Sequence, residues 1–207
     1  MNYKKPLILT VFIISCMNLS AQENEIANDE QIWSEPINGL AAMLKFEIKK
    51  SETHAQIIHP KLNLRNETKD TIDFFWCIYD AGEFKITDTN GNSVPSKVSI
   101  RSGPVGSEIV SINPGQVVTL DAYDYGYGIS GQPNLYAFNT ASIQRNLVPE
   151  NYLISYILDY TTDNLKKIIK QYNWIKVDVA TIWSGIIKLE EVPLNLKNDL
   201  PTKNKTH

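Results

Sequence analysis

The amino-acid sequence predicts an all-β sandwich with one short helix inserted before its last strands. The chain falls into segments of strand length, rich in β-branched and aromatic residues and often alternating apolar with polar. That is the period of a half-buried strand. Between the segments stand Asn90-Gly91-Asn92, Gly103-Pro104 and Asn113-Pro114-Gly115, residue types that supply the backbone angles of tight turns. Many short strands punctuated in this way fit a sandwich or barrel. The exception is Thr161 to Tyr172, which carries helical spacing.

The first residues read as a targeting segment. Lys4 and Lys5 form a basic region, Leu7 to Ile14 an apolar run, and Leu19-Ser20-Ala21 puts a small residue before a cleavage point. The apolar run is well short of the roughly 20 residues that a spanning helix needs, so residues 1–21 are expected to be a signal peptide and no transmembrane span is expected. The Ser20-Ala21-Gln22 junction resembles the signal peptides of secreted Bacteroidetes proteins. A second route runs through Ile13-Ile14-Ser15-Cys16, which resembles a bacterial lipobox and implies lipidation at Cys16. The expected location is periplasmic or extracellular, with a membrane-anchored lipoprotein as the alternative and membrane contact only in that case.

Residues 22–32 are polar and acidic and read as a flexible leader, followed by the sandwich over 33–196 and a flexible tail over 197–207. Leu40 to Ile48 is the first expected strand, and Ile57 to Arg65 the second, alternating through Leu62 and Leu64. Thr71 to Tyr79 is the most apolar segment; its length and the flanking Asp70 and Asp80-Ala81-Gly82 favour a central strand over a buried helix. Phe84 to Thr87, Val98 to Arg101, Glu108 to Ile112 and Val117 to Leu120 follow, then Tyr152 to Tyr160, Trp174 to Val179 and Trp183 to Leu189. Phe74, Trp76, Ile78, Leu62, Leu64 and Val118 are the expected core. In the helical segment Leu165, Ile168, Ile169 and Tyr172 share one face, Lys166, Lys167 and Lys170 the other, and Asp163 is placed to cap the start. The chain has no fixed-period repeat and no linker long enough to separate independent domains, so one domain is the expected organisation. A small second domain after about Asn139 is the alternative.

Several of these segments together resemble exported bacterial immunoglobulin-like or fibronectin-III-like sandwich proteins. The opening Trp33 to Ile48, the Leu62 to Phe75 stretch with its Asn and polar turn, Phe84 to Pro95, Ile112 to Leu120 and the closing Ile182 to Leu194 carry the likeness. The layout is also similar to the intracellular proteinase inhibitor family of Bacillus. The resemblance implies the fold and, as one alternative, inhibition of an extracellular protease. It does not reach an identifiable reactive loop, and sandwiches host many unrelated functions.

Composition narrows the chemistry. Loss of residues 1–21 removes Lys4 and Lys5 and leaves 18 basic against 23 acidic residues, a net charge of −5. A modest negative charge without a basic block argues against nucleic acid as partner. Cys77 is then the one cysteine left, set among large apolar residues, so it reads as a buried small hydrophobe and not as half of a disulfide or a nucleophile. His54 and His59 lack neighbouring Cys or acidic ligands and read as loop or surface residues, so no metal or other cofactor is expected. Asp88 to Asn92 lacks the closing Glu of a calcium loop. No Gly-x-Ser-x-Gly elbow or phosphate cradle appears. Carboxylates such as Asp121, Asp124 and the Glu190-Glu191 pair keep a hydrolase open as the third reading.

The stretch Thr119 to Gln132 is the remaining signal. On an extended path Tyr123, Tyr125 and Tyr127 share one side, with Asp124, Gly126 and Gly128 opposite. The glycines around Tyr127 make a regular buried strand less natural. Tyrosine gives broad contact and a hydroxyl at small entropic cost. The rings therefore either close the end of the sandwich or present a ligand platform; Tyr123 is expected to pack and Tyr127 to project. Tyr123, Tyr125, Tyr127 and Tyr136 are the expected ligand-binding residues of an exported, non-enzymatic interaction module for carbohydrate or protein.

Overall fold

The computed structural model describes residues 25–26, 32–50, 56–77, 82–95, 97–98, 107–121, 136–139, 143–171 and 177–197. Among the described residues the fold is all-β with a single α-helix near the C-terminal strands. The largest sheet is built on β2 (Leu40–Lys50) and β3 (Gln56–Asn66), antiparallel along their whole length from Leu40 opposite Asn66 to Lys50 opposite Gln56. The chain enters β2 through Asn38-Gly39, both at positive φ (48° and 80°), closed by reciprocal bonds between Ile37 and Leu40. Such a two-residue turn requires left-handed residues, and a Cβ on Gly39 would strike the Thr68 methyl at 2.0 Å. Glu25–Ile26 forms a short β1 against β2, so the segment expected to be a flexible leader contributes a strand. Two residues suffice because β2 already presents an ordered edge.

The far edge of β3 is divided between two strands. Its C-terminal half, Lys61 to Arg65, pairs antiparallel with β8 (Val117–Asp121). Its N-terminal end, Gln56 to Ile58, pairs parallel with β9 (Tyr136–Asn139). Pro60 stands at the division. Ala42 turns its carbonyl away from β3 to the Ser34 amide at 2.8 Å, so by the period of two Phe46 also points its backbone away from β3. Its partner Pro60 therefore aims its ring nitrogen at the divided edge, where a missing donor costs no ladder bond.

From β9 the sheet continues through β10 (Ile143–Leu147) to β6 (Lys97–Val98). Neither β9 nor β10 is evident in the sequence: β9 has four residues, and β10 interrupts its apolar row with Arg145. Of the expected strand Val98 to Arg101, residues 99–101 lie outside the described residues.

Among the described residues two smaller sheets accompany the largest one. In one, β11 (Asn151–Tyr160) lies between β5 (Glu83–Asp88) and β12 (Gly185–Asn195). The other pairs β4 (Ile72–Cys77) with β7 (Ser107–Ile112). Tyrosine, phenylalanine and tryptophan rings join the sheets. Phe74 of β4 lies 5.5 Å from Tyr160 and 5.6 Å from Trp183, and Phe84 of β5 lies 5.6 Å from Phe138 of β9. Each such pair adds about 0.5–1.5 kcal/mol beyond area burial. One hydrophobic cluster runs from Leu40 to Leu196 and includes the expected Leu62, Leu64, Phe74 and Trp76, with Val118 packed against it. Ile78 lies outside the described residues.

The helix α1 spans Thr162–Gln171, with Leu165 buried and Ile168 and Ile169 against the core. Asp163 sits inside the first turn, where it meets the positive end of the helix dipole instead of capping it. The strand expected over Trp174 to Val179 does not extend to its C-terminal end. Asp178 accepts the Ala180 amide at 3.0 Å and caps a 3-10 turn, Val179–Thr181; residues 174–176 lie outside the described residues. The last strand runs on past Leu189, because two residues, Glu190 and Glu191, bulge opposite Ser155 and restore the register. Glu191 takes φ 55° there, and the bulge and Pro193 interrupt what is an edge strand.

Candidate functional site

The division of β3 fixes where the tyrosine-rich segment is mounted. Residues 122–135 leave β8 after Asp121, opposite Lys61, and re-enter at Tyr136, opposite Gln56. Both anchors lie on one strand edge, separated by roughly 17 Å at strand rise. Tyr123, Tyr125 and Tyr127 themselves lie outside the described residues, as does Cys16. Tyr136 is placed otherwise than the sequence implies. Its ring is 2% exposed and its hydroxyl donates to the Lys197 carbonyl at 2.7 Å. It belongs to the packed base of the segment and not to an exposed platform, because the parallel β3–β9 corner turns it into the same core as Ile58 and Phe138.

Beside the mount lies a polar face. Alternation sends Ile58, Leu62 and Leu64 into the core and His59, Lys61 and Asn63 to the other side of β3. The register sets Glu47 opposite His59, and Lys45 and Asp121 on either side of Lys61. The Lys61 ammonium reaches Glu47 at 3.1 Å and Asp121 at 3.7 Å. The Thr119 hydroxyl donates to Asn63 Oδ1 at 2.6 Å.

His59, expected on the surface or in a loop, is 3% exposed within β3. Burial, assisted by Lys49 and Lys61 and opposed by Asp121 and Glu47, pulls its imidazole down to about 4. The ring is therefore neutral at physiological pH. A buried neutral histidine in an ion-paired frame makes this edge sensitive to acid.

Other sequence candidates separate in space. Asp121 is held by Lys61, while Glu190 and Glu191 lie at the bulge of β12. Asp88 spends its carboxylate on the amides of Asn90 and Asn92 and on the Asn92 side chain at 2.8–3.0 Å, which closes a hairpin. Those bonds hold its carboxyl below the usual range. His54 is outside the described residues, and Cys77 is buried. Among the described residues no group of three or more His, Cys, Asp or Glu is arranged to hold a metal ion, and no helix is long and apolar enough to cross a membrane.

Hollows are also present elsewhere among the described residues. One, of 480 Å³, lies along α1 and is lined by Glu83, Ile157, Asp159, Asn164 and Lys167 among others. The second, of 250 Å³, lies between β5, residues 93–95 and Arg145. Compared with protein-family models, curated proteins and solved structures, the chain gives no significant match to any.

Proposed function

We propose that this chain is an exported, non-enzymatic binding module on an immunoglobulin-like sandwich, and that Tyr123, Tyr125 and Tyr127 contact its carbohydrate or protein ligand. The observation that supports the reading is the mounting of segment 122–135. Both of its ends are held on the same edge of β3, at Asp121 and at the buried Tyr136. A segment borne by an ordered sheet is the usual arrangement for recognition, since the scaffold holds the entropy cost of binding to the segment itself. Three alternating tyrosines in the sequence of that segment supply contact area with few rotors. Export follows in this reading from residues 1–21.

The test uses the full chain, expressed with export and purified after processing. A glycan array, a panel of extracellular proteases and generic hydrolase substrates are screened in parallel. Binding on the array or to a protein, lost in Tyr127→Ala with an unchanged melting temperature, supports the proposal, because an exposed anchor contributes to affinity and not to the core. Normal binding with a much lower melting temperature would place the rings inward. Protease inhibition or turnover, in place of binding, would replace this reading with one of its two rivals.

A further inference from the structure

Arg145 is out of keeping with its row. It lies directly opposite Phe138 in the β9–β10 ladder, and Leu147 lies opposite Tyr136. Opposed residues in an antiparallel pair project from the same face, and Phe138, Leu147 and Tyr136 are all core residues. Arg145 thus carries a guanidinium on the inward-facing row of its sheet, where charged residues are seldom found without a partner. Its Nη2 is shut off from solvent and has no hydrogen-bond acceptor, and none of the ion pairs among the described residues involves it. Burial draws its pKa below the ordinary range, yet an arginine stays charged. A buried donor left in this state is costly to the fold.

The side chain borders a hollow that is chemically mixed. Phe84 and Ile86, both buried, line it with Val94 and Pro95 on the apolar side and Arg145 and Ser93 on the polar side, while Glu83 and Lys85 border it from the exposed row of β5. The walls are fixed before any ligand arrives. Val94 donates to the Ile86 carbonyl at 2.9 Å, Ser93 bridges to Thr87, and the Asp88 turn locks the connection. At 250 Å³ the space falls just below the roughly 300–1,000 Å³ of sites for drug-sized ligands, so it suits a ligand of few heavy atoms.

We propose that this hollow is a binding site for a small monocarboxylate with an apolar body, its carboxylate taken by Arg145 and its body by Phe84, Ile86, Val94 and Pro95. The planar guanidinium matches a carboxylate, and a small turn of its terminal bond brings Nη2 to the acceptor it lacks. Phosphate would satisfy the guanidinium but leave the apolar walls unused. This site is independent of the tyrosine segment, and either reading can fail alone.

The experiment titrates hexanoate, hexanamide and inorganic phosphate into the intact processed chain. Backbone amide shifts of residues 84–86 and 93–95 are followed by NMR, with the melting temperature alongside. Hexanoate is expected to give saturable shifts, phosphate weaker ones and hexanamide none. Arg145→Met is expected to weaken hexanoate by roughly tenfold or more while keeping the melting temperature, since an apolar replacement removes an uncompensated charge. Equal responses to hexanoate and hexanamide, or no response, would overturn the proposal. So would a large loss of stability in Arg145→Met that Glu83→Gln reproduces, which would make Glu83 the partner of Arg145 in solution.

Discussion

Among the polar side chains that β3 buries, Asn66 at its C-terminal end and His59 toward its N-terminal end are treated in opposite ways. At the C-terminal end Asn66 is fully buried and fully bonded. Its amide donates to the carbonyls of Asp70 and Ile112 at 2.7 and 2.8 Å, and its Oδ1 accepts the amide and hydroxyl of Thr68 at 2.8 and 2.7 Å. Its backbone meets Gln116 and Gly115 of the turn that precedes β8. This one residue clamps the 66–70 loop to the 113–116 turn and uses every donor and acceptor of its side chain. At the other end His59 is buried in its neutral form among Glu47, Lys49, Lys61 and Asp121. There the edge is broken at Pro60 and segment 122–135 is inserted. One end of the strand is a lock; the other is a mount whose stability depends on protonation.

The largest effect expected from this contrast is at the lock. Asn66→Ala takes the side-chain partner from the Ile112 carbonyl and the Thr68 amide, and leaves the Asp70 carbonyl with the Thr68 hydroxyl. Urea denaturation should show a loss of about 3 kcal/mol or more, since each buried orphan costs roughly 1–3 kcal/mol and the bonds reinforce one another. A loss below about 1 kcal/mol would mean that water replaces the side chain and that no clamp exists.

A smaller effect is expected at the mount, and it depends on pH. His59 titrates near 4 when folded against an ordinary 6.5, so the unfolded chain binds the proton first as pH falls. Its contribution is complete above pH 6.5 and is lost progressively down to pH 4. The loss should be on the order of 1–2 kcal/mol once partial solvent screening is allowed for. Melting curves between about pH 7 and about pH 4 should show this slope, and His59→Gln should flatten it. An unchanged slope in the variant would assign the acid sensitivity to other groups, and His59 would no longer distinguish the two ends.

The same contrast explains what the sequence made legible. The long strands β2, β3 and β11 and the helix α1 are carried by local periodicity, as are the turns at Asn90-Gly91-Asn92 and Asn113-Pro114-Gly115. The core aromatics Phe74 and Trp76 follow from their apolar run. What local pattern does not carry is pairing over distance. The parallel β3–β9 corner is set by residues 56–58 and 136–138, and no spacing within either segment announces the other. Tyr136 reads as a member of the tyrosine-rich loop for that reason, although it is buried.

Two residues nonetheless mark such places locally. Pro60 within an otherwise alternating strand marks a point where one ladder must be interrupted. Arg145 between Ile143 and Leu147 places a charge on an apolar row. Each departs from its local pattern where the structure shows a broken edge or an unpartnered donor.

The smallest stability effect belongs to segment 122–135 itself, if it is mounted on the sheet and is not among the elements that hold the sheet together. Its replacement by a Gly-Ser linker of about eight residues bridges the gap between Asp121 and Tyr136, because a flexible chain of that length spans roughly 16 Å. The melting temperature of this variant, measured with its binding to whichever ligand the wild-type chain selects, is the direct test. A mounted segment predicts a shift of less than about 4 °C together with complete loss of binding. A fall of about 10 °C or more, or binding that survives the replacement, would contradict it.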